Sequence, residues 1–293
     1  MRMHSQRGLV SAASTLAGVF LFAALVWGCD SVPARDQATI SAITREASVG
    51  SGEHETAGGE TGSTESETGK ESHSPEARTL ILLVHGSGSS PREWPADFLD
   101  SVEARLNQRD ESQAPPRSRP AEDVRSALHA SQIVALDWEG TAAKRLTAPR
   151  RGYAIGEALG SRLASSSYEE VVIIAHSVGA HVAQGFLDAY GAGGGSGQLK
   201  VVFLDPFHPR GLLSWRWGVK RFGLGADRAV NYFVRGDGVP GTDAPLDHAI
   251  NINLTDQVPS RYWNQTGSAH YWVARHFAQE IGVDVIASGL HPL

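Results

Sequence analysis

The sequence holds one cysteine in 293 residues, Cys29. No disulfide can form within the chain, so any fold it adopts stands on its core alone. Positive charge is also scarce. Lys and Arg number 26 against 32 Asp and Glu, for a net charge of −6. No basic stripe of the kind that recruits nucleic acid is present, which argues against such a partner. No internal repeat is present, so a solenoid or propeller is excluded. One uninterrupted uncharged run stands out, Gly8 to Gly28, and it lies at the N-terminus.

That run follows Arg2 and Arg7 and ends in small residues beside Cys29. A positive start, an apolar stretch and a small-residue end make a secretory signal, which is set aside from fold reasoning. It resembles a bacterial lipoprotein signal, with Gly28-Cys29 as the cleavage junction and Cys29 as the lipidated residue. Trp27 is bulky where that signal favours a small residue. An uncleaved anchor is the alternative, because the run is near the ~20 residues that span a bilayer. Both readings place the protein in the cell envelope, facing the periplasm or the exterior. The expected divisions are a signal over 1–29, a linker over 30–77 and one folded domain over 78–293. The linker is rich in Gly, Ser, Thr and Glu. Its 50–77 portion has seven Glu against one Lys, and it is too polar to offset the entropy of ordering. His54 and His73 within it read as solvated side chains.

From Thr79 the pattern changes. "TLILLVH" (79–85), "SQIVALDW" (131–138), "EEVVIIAH" (169–176), "LKVVFLD" (199–205), "AVNYFVRGD" (229–237) and "DHAININL" (247–254) read as strands. Near-continuous apolar runs such as the first three suit strands buried on both faces. Helical spacing lies between several of them, as in 91–108, 151–166 and 178–190, and again in 270–282. This alternation predicts an α/β domain with a mostly parallel six-stranded sheet flanked by helices. The Pro-rich stretch 107–127 reads as a surface loop.

The third strand ends in Ala175-His176-Ser177-Val178-Gly179, where a helix begins. A serine hydroxyl needs a base to become a nucleophile, and a sharp strand–helix turn presents it to substrate. Small residues two before and two after relieve the crowding there. Ala175 stands where the usual motif has Gly and adds one methyl. The first strand runs into "HGSGSS", a Gly-rich turn able to aim backbone N–H groups at a developing oxyanion. Together the two segments offer Ser87 N–H and Val178 N–H as the oxyanion hole. A carboxylate belongs after a later strand at the same sheet edge. Asp205 and Asp237 both qualify, whereas Asp243 and Asp247 sit in a turn-rich stretch that suits capping. The base comes last in chain order. His270 at the mouth of the final helix is the choice, with His248 behind it; His276 reads as a helix-face residue and His208 as a loop residue.

These segments, in order, resemble the α/β-hydrolase superfamily, and within it the pancreatic-type lipases and their bacterial lipase and esterase relatives. The likeness rests on "LVHG", "LDW", "AHSVGAHVA", "FLDP" and a late His backed by aromatics, and covers most of 79–280. It implies an α/β-hydrolase fold with Ser177 as nucleophile, Asp205 as acid, His270 as base and Ser87 and Val178 as oxyanion donors. Asp237 occupies the place where most other members carry their acid and remains the alternative. The implied activity is a membrane-tethered serine hydrolase that cleaves carboxylic esters through an acyl-enzyme. An amidase, thioesterase or acyltransferase would use the same triad, and a catalytically silent binding lipoprotein would keep only the scaffold. The expected partners are an ester of unspecified acyl chain and the membrane reached through the N-terminal anchor. A monomer is expected, with no metal and no organic cofactor. The stretch 207–225, "FHPRGLLSWRWGVKRFGLG", mixes Trp215 and Trp217 with Arg216, Lys220 and Arg221. It reads either as an amphipathic flap over the cleft or as a loop whose aromatics tuck into the core.

Overall fold

The computed structural model describes residues 79–107, 128, 131–211 and 213–290. The expected signal with Cys29, the linker over 30–77 and nearly all of the loop over 107–127 lie outside these residues. Among the described residues no helix is long and apolar enough to cross a membrane.

Six strands form one sheet: β1 (Thr79–Val84), β2 (Ser131–Leu136), β3 (Glu170–His176), β4 (Gln198–Leu204), β5 (Arg228–Phe233) and β6 (Ile250–Asn253). Their order is β2-β1-β3-β4-β5-β6, and every neighbouring pair is parallel. The helices are α1 (Trp94–Asn107), α2 (Glu139–Ala142), α3 (Ala148–Leu163), α4 (Ala180–Ala192), α5 (Trp217–Arg221), α6 (Ser268–His276) and α7 (Gly282–Ala287).

The apolar runs alternate by face, as the period of two requires. Leu80, Leu82 and Val84 of β1, with Val171, Ile173 and Ala175 of β3, join a core that includes Ile155, Leu159, Val182 and Phe186 from α3 and α4. Ile81 and Leu83, with Val172 and Ile174, join the opposite core, which includes Phe98 of α1 and Trp272 and Val273 of α6. Both faces of the central strands are thus covered, which is why they carry no polar alternation. Helices α3 and α4 cross at Gly156, where a Cβ would lie 2.0 Å from the Val182 carbonyl.

One strand departs from the expectation of full burial. β2 is only half-buried over most of its length, because it is an edge strand in this order. β6 is short and largely exposed at the other edge. β5 also ends at Phe233 rather than continuing to Asp237, so Asp237 belongs to the loop beyond it.

The strand order reverses direction at β1. The chain steps outward from β1 to β2, then returns across β1 to β3 and onward. In such sheets the crevice at the carboxyl ends of the strands flanking the switch is where ligands bind. Here those ends carry the His85-Gly86 turn and Ser177.

Candidate active site

Ser177 follows directly on β3 and opens a single 3-10 turn, Ser177–Gly179, that leads into α4. Its φ is 55°, a left-handed conformation that is costly for a residue with a Cβ. Such strain persists only where surrounding structure over-determines it. At this elbow the constraint comes from crowding. A Cβ at Gly179 would sit 2.8 Å from the Val84 carbonyl oxygen and 2.9 Å from that of His85. Glycine is therefore required at the second small position, whereas Ala175 is fully buried in its strand and its methyl is accommodated.

The turn after β1 lies against this elbow, since a Cβ at Gly86 would approach Ser177 Cβ to 2.7 Å. Ser87 and Val178 line the same cavity as Ser177. Two side chains brace the turn. Trp138 Nε1 donates to the His85 carbonyl at 3.0 Å, and the Tyr271 hydroxyl donates to the Ser87 carbonyl at 2.9 Å. The first explains the buried Trp of the "LDW" segment. The second joins the turn to the helix bearing His270, and no spacing signal in the sequence pointed to it.

His270 sits in the first turn of α6, 3 % exposed. Its Nδ1 donates to Asp205 Oδ2 at 2.7 Å, and Asp237 Oδ2 lies 3.4 Å from the same nitrogen. Both carboxylates expected from the sequence therefore reach the same imidazole, at unequal range. Asp205 follows directly on β4 with φ of 46°, a second strained residue at the sheet edge. Its other oxygen accepts from the Val234 backbone N–H at 3.2 Å. Asp237 is held by its own loop, accepting from the Val239 N–H at 2.9 Å, while Thr242 Oγ1 lies 3.3 Å from its Oδ2. His176 packs beside His270, with ring centroids 4.6 Å apart. The His176 Nε2 lies 3.3 Å from the His270 carbonyl. The other histidines weighed from the sequence lie elsewhere. His248 is exposed, His276 stacks on Trp272 and His208 is buried within the 207–225 segment, its ring near Phe222.

The three titratable groups perturb one another. Burial pushes the Asp205 carboxyl up, to about 7, against the pull of the bond from His270. Asp237 is also raised by burial, but bonds from His270, the Val239 N–H and Asp205 outweigh this and leave it below the ordinary carboxylate range. Burial pulls His270 down, yet its bonds and ion pairs to the two aspartates reverse that and hold it up at about 9. His176, wholly buried beside an already cationic neighbour, is driven well below the usual histidine value and stays neutral.

Asp205, Asp237 and His270 each offer a ligand atom within a 4.8 Å cluster. Two ligands each about 2.0–2.2 Å from a tetrahedral ion must sit more than about 3 Å apart. The 2.7 Å separation of His270 Nδ1 and Asp205 Oδ2 leaves room for a proton rather than a metal ion between them.

A cavity of about 470 Å³ opens in front of the elbow, and Ser177 and His270 both line it. Val178, Phe207, Trp215, Val239 and Pro240 form its apolar wall. The 207–225 segment divides in two. Trp217 stacks on His181 at 5.3 Å and meets Phe222 edge-on, and Val219 and Phe222 are buried. This part belongs to the core. The tip differs: Leu213 is fully exposed, and Trp215 is 51 % exposed while lining the cavity. Of its cations, Arg221 pairs with Asp188 at 2.9 Å and Lys220 is exposed.

A profile of the alpha/beta hydrolase family matches residues 81–285. The chain belongs to that family. The match spans more than half of the chain and runs from β1 to α7. The six-stranded parallel sheet flanked by helices is consistent with the fold of that family. No curated protein matches the sequence.

Proposed function

We propose that the protein is a serine hydrolase that cleaves carboxylic esters through an acyl-enzyme on Ser177. The observation that carries this reading is the buried 2.7 Å bond from His270 Nδ1 to Asp205, on a histidine that shares a cavity with a strained serine. With Nδ1 engaged, Nε2 is the nitrogen left to take the Ser177 proton. The Ser177 oxygen attacks the ester carbonyl, and the oxyanion that forms takes hydrogen bonds from the Ser87 and Val178 N–H groups. The imidazolium returns the proton to the leaving alcohol. Water then adds to the acyl-enzyme with His270 again as base, and the acid leaves. Asp205 is the acid of this triad, being 0.7 Å closer to His270 than Asp237 (3.4 less 2.7 Å).

The apolar wall of the cavity supports an acyl chain as one half of the substrate. In the same reading, the N-terminal segment ending at Cys29 tethers the domain to the outer side of a membrane. The test is a profile of p-nitrophenyl esters of increasing acyl length, with Ser177→Ala as control. Hydrolysis that is lost in Ser177→Ala supports the proposal. Equal hydrolysis by both proteins refutes it, and a wild type that cleaves amides or thioesters but not oxygen esters reassigns the substrate.

A further inference from the structure

Two segments that contribute residues to the cavity have an uneven charge. Between Glu139 and Glu157 the chain has no acidic residue but carries Lys144, Arg145, Arg150 and Arg151. Between Asp205 and Asp227 it again has none, and carries Arg210, Arg216, Lys220 and Arg221. Eight cations and no carboxylate lie in these two segments. Both segments reach the cavity, through Arg145 and Ala148 on one side and Phe207 and Trp215 on the other.

Several of these cations already have work. Arg210 lies over Tyr153 and Trp217, and Arg221 pairs with Asp188. Arg145 does not. Its side chain is exposed and forms no ion pair or hydrogen bond among the described residues. Among the described residues, His270 aside, it is the one charged side chain lining the cavity, and no carboxylate lines it. Asp205 and Asp237 are buried behind the imidazole. Beside Arg145, Leu146 is 91 % exposed, matching the exposed Leu213 and Trp215 of the facing segment.

We propose that the cavity selects amphiphilic esters bearing an anionic group, carboxylate or phosphate, and that Arg145 is the residue that reads that group. This rests on the ester-cleaving reading for the word ester, and on the placement of Arg145 for the charge. The apolar wall takes the hydrocarbon portion. The planar guanidinium fork matches a carboxylate or phosphate with two parallel hydrogen bonds, which an ammonium or a lone backbone N–H does not.

Binding separates the charge reading from the chemistry. Full-length Ser177→Ala is titrated by calorimetry with monomeric octyl phosphate, with octanoate and with neutral octyl glucoside. An exposed ion pair in a water-facing cleft is worth about fivefold in affinity. Both anions are expected to bind at least about fivefold tighter than the glucoside. Adding Arg145→Ala brings them to parity, Arg145→Glu reverses the order, and salt near 0.5 M removes the difference by screening. Equal binding of anionic and neutral ligands, or a preference unchanged in Arg145→Ala, overturns the proposal. So does sedimentation with anionic phospholipid vesicles when monomeric octyl phosphate does not bind, since the cations would then serve a membrane contact. If the anion preference holds but wild type cleaves no ester, the ester reading fails and the Arg145 assignment stands.

Discussion

Replacing Asp205 by Asn is the substitution whose effect the site geometry constrains most. The change keeps size and shape but removes the charge that holds His270 in one tautomer. In serine hydrolases generally, losing that carboxylate costs about 10⁴ in turnover. Here a second carboxylate waits, because Asp237 Oδ2 lies 3.4 Å from the same nitrogen. A shift of well under 1 Å would bring it to ordinary bonding range. Asp205→Asn is therefore expected to retain part of the activity, falling by about 10²–10³, or roughly 3–4 kcal/mol of transition-state stabilisation. Asp237→Asn leaves the 2.7 Å bond in place and is expected to cost less than about tenfold. The double variant removes both acceptors and should fall by about 10⁴, beyond either single change. The assay is kcat/KM on a short p-nitrophenyl ester, with circular dichroism to show that each variant is folded. A larger loss in Asp237→Asn than in Asp205→Asn would refute the assignment of the acid. Loss in Asp205→Asn equal to that of the double variant would refute the supporting role of Asp237.

Further outcomes follow from the same geometry. His270 must shed its proton to act as base, and its partners hold it up at about 9, so kcat/KM should still be climbing between pH 7 and 9; a plateau by pH 7 would contradict this. The same raised value gives stability that is full below the unfolded histidine value near 6.5 and is lost as pH rises through about 9. His181 and His208 are buried neutral, lowered by burial and nearby arginines to about 3 and about 4, so their contribution is lost as pH falls below about 6.5. Thermal melting should accordingly peak near pH 6–7, and a melting temperature that rises steadily from pH 4 to 9 would refute the balance. Gly179→Ala forces a methyl to within 3 Å of two carbonyl oxygens and should cost about 1–3 kcal/mol, read as a fall in the denaturation midpoint; an unchanged midpoint would show that the elbow is less crowded.

The sheet was legible because its central strands are buried on both faces. An apolar run such as "EVVIIAH" is what a strand covered on both faces calls for. The edges were less legible. β2 reads as apolar as a central strand, yet strand order, which sequence periodicity does not encode, leaves it half-buried. The elbow was visible because a serine between a strand and a helix needs small neighbours, and the contacts of Gly179 show why. Two aspartates qualified as acid because both follow strands at the same edge. Only distance separates them, and distance arises from the path of each loop: Asp205 leaves β4 at once, while Asp237 stands four residues past the end of β5. Trp138 and Tyr271 escaped functional reading because each acts through a single hydrogen bond to a backbone carbonyl far away in sequence. The aromatics of 207–225 split between core and cleft, but only Trp217 lies on the short α5, while Trp215 precedes it and lines the cavity, so no repeat long enough to establish a period exists there.

Each role proposed for the site depends on Ser177 being the nucleophile. Fluorophosphonate treatment of the native full-length chain, followed by digestion and mass mapping, tests it most directly, because the reagent reports only an activated serine. One adduct is expected, on the peptide containing Ser177, formed faster at pH 8.5 than at pH 6 and absent from Ser177→Ala. An adduct on another residue, or none on the folded wild-type chain, would contradict it.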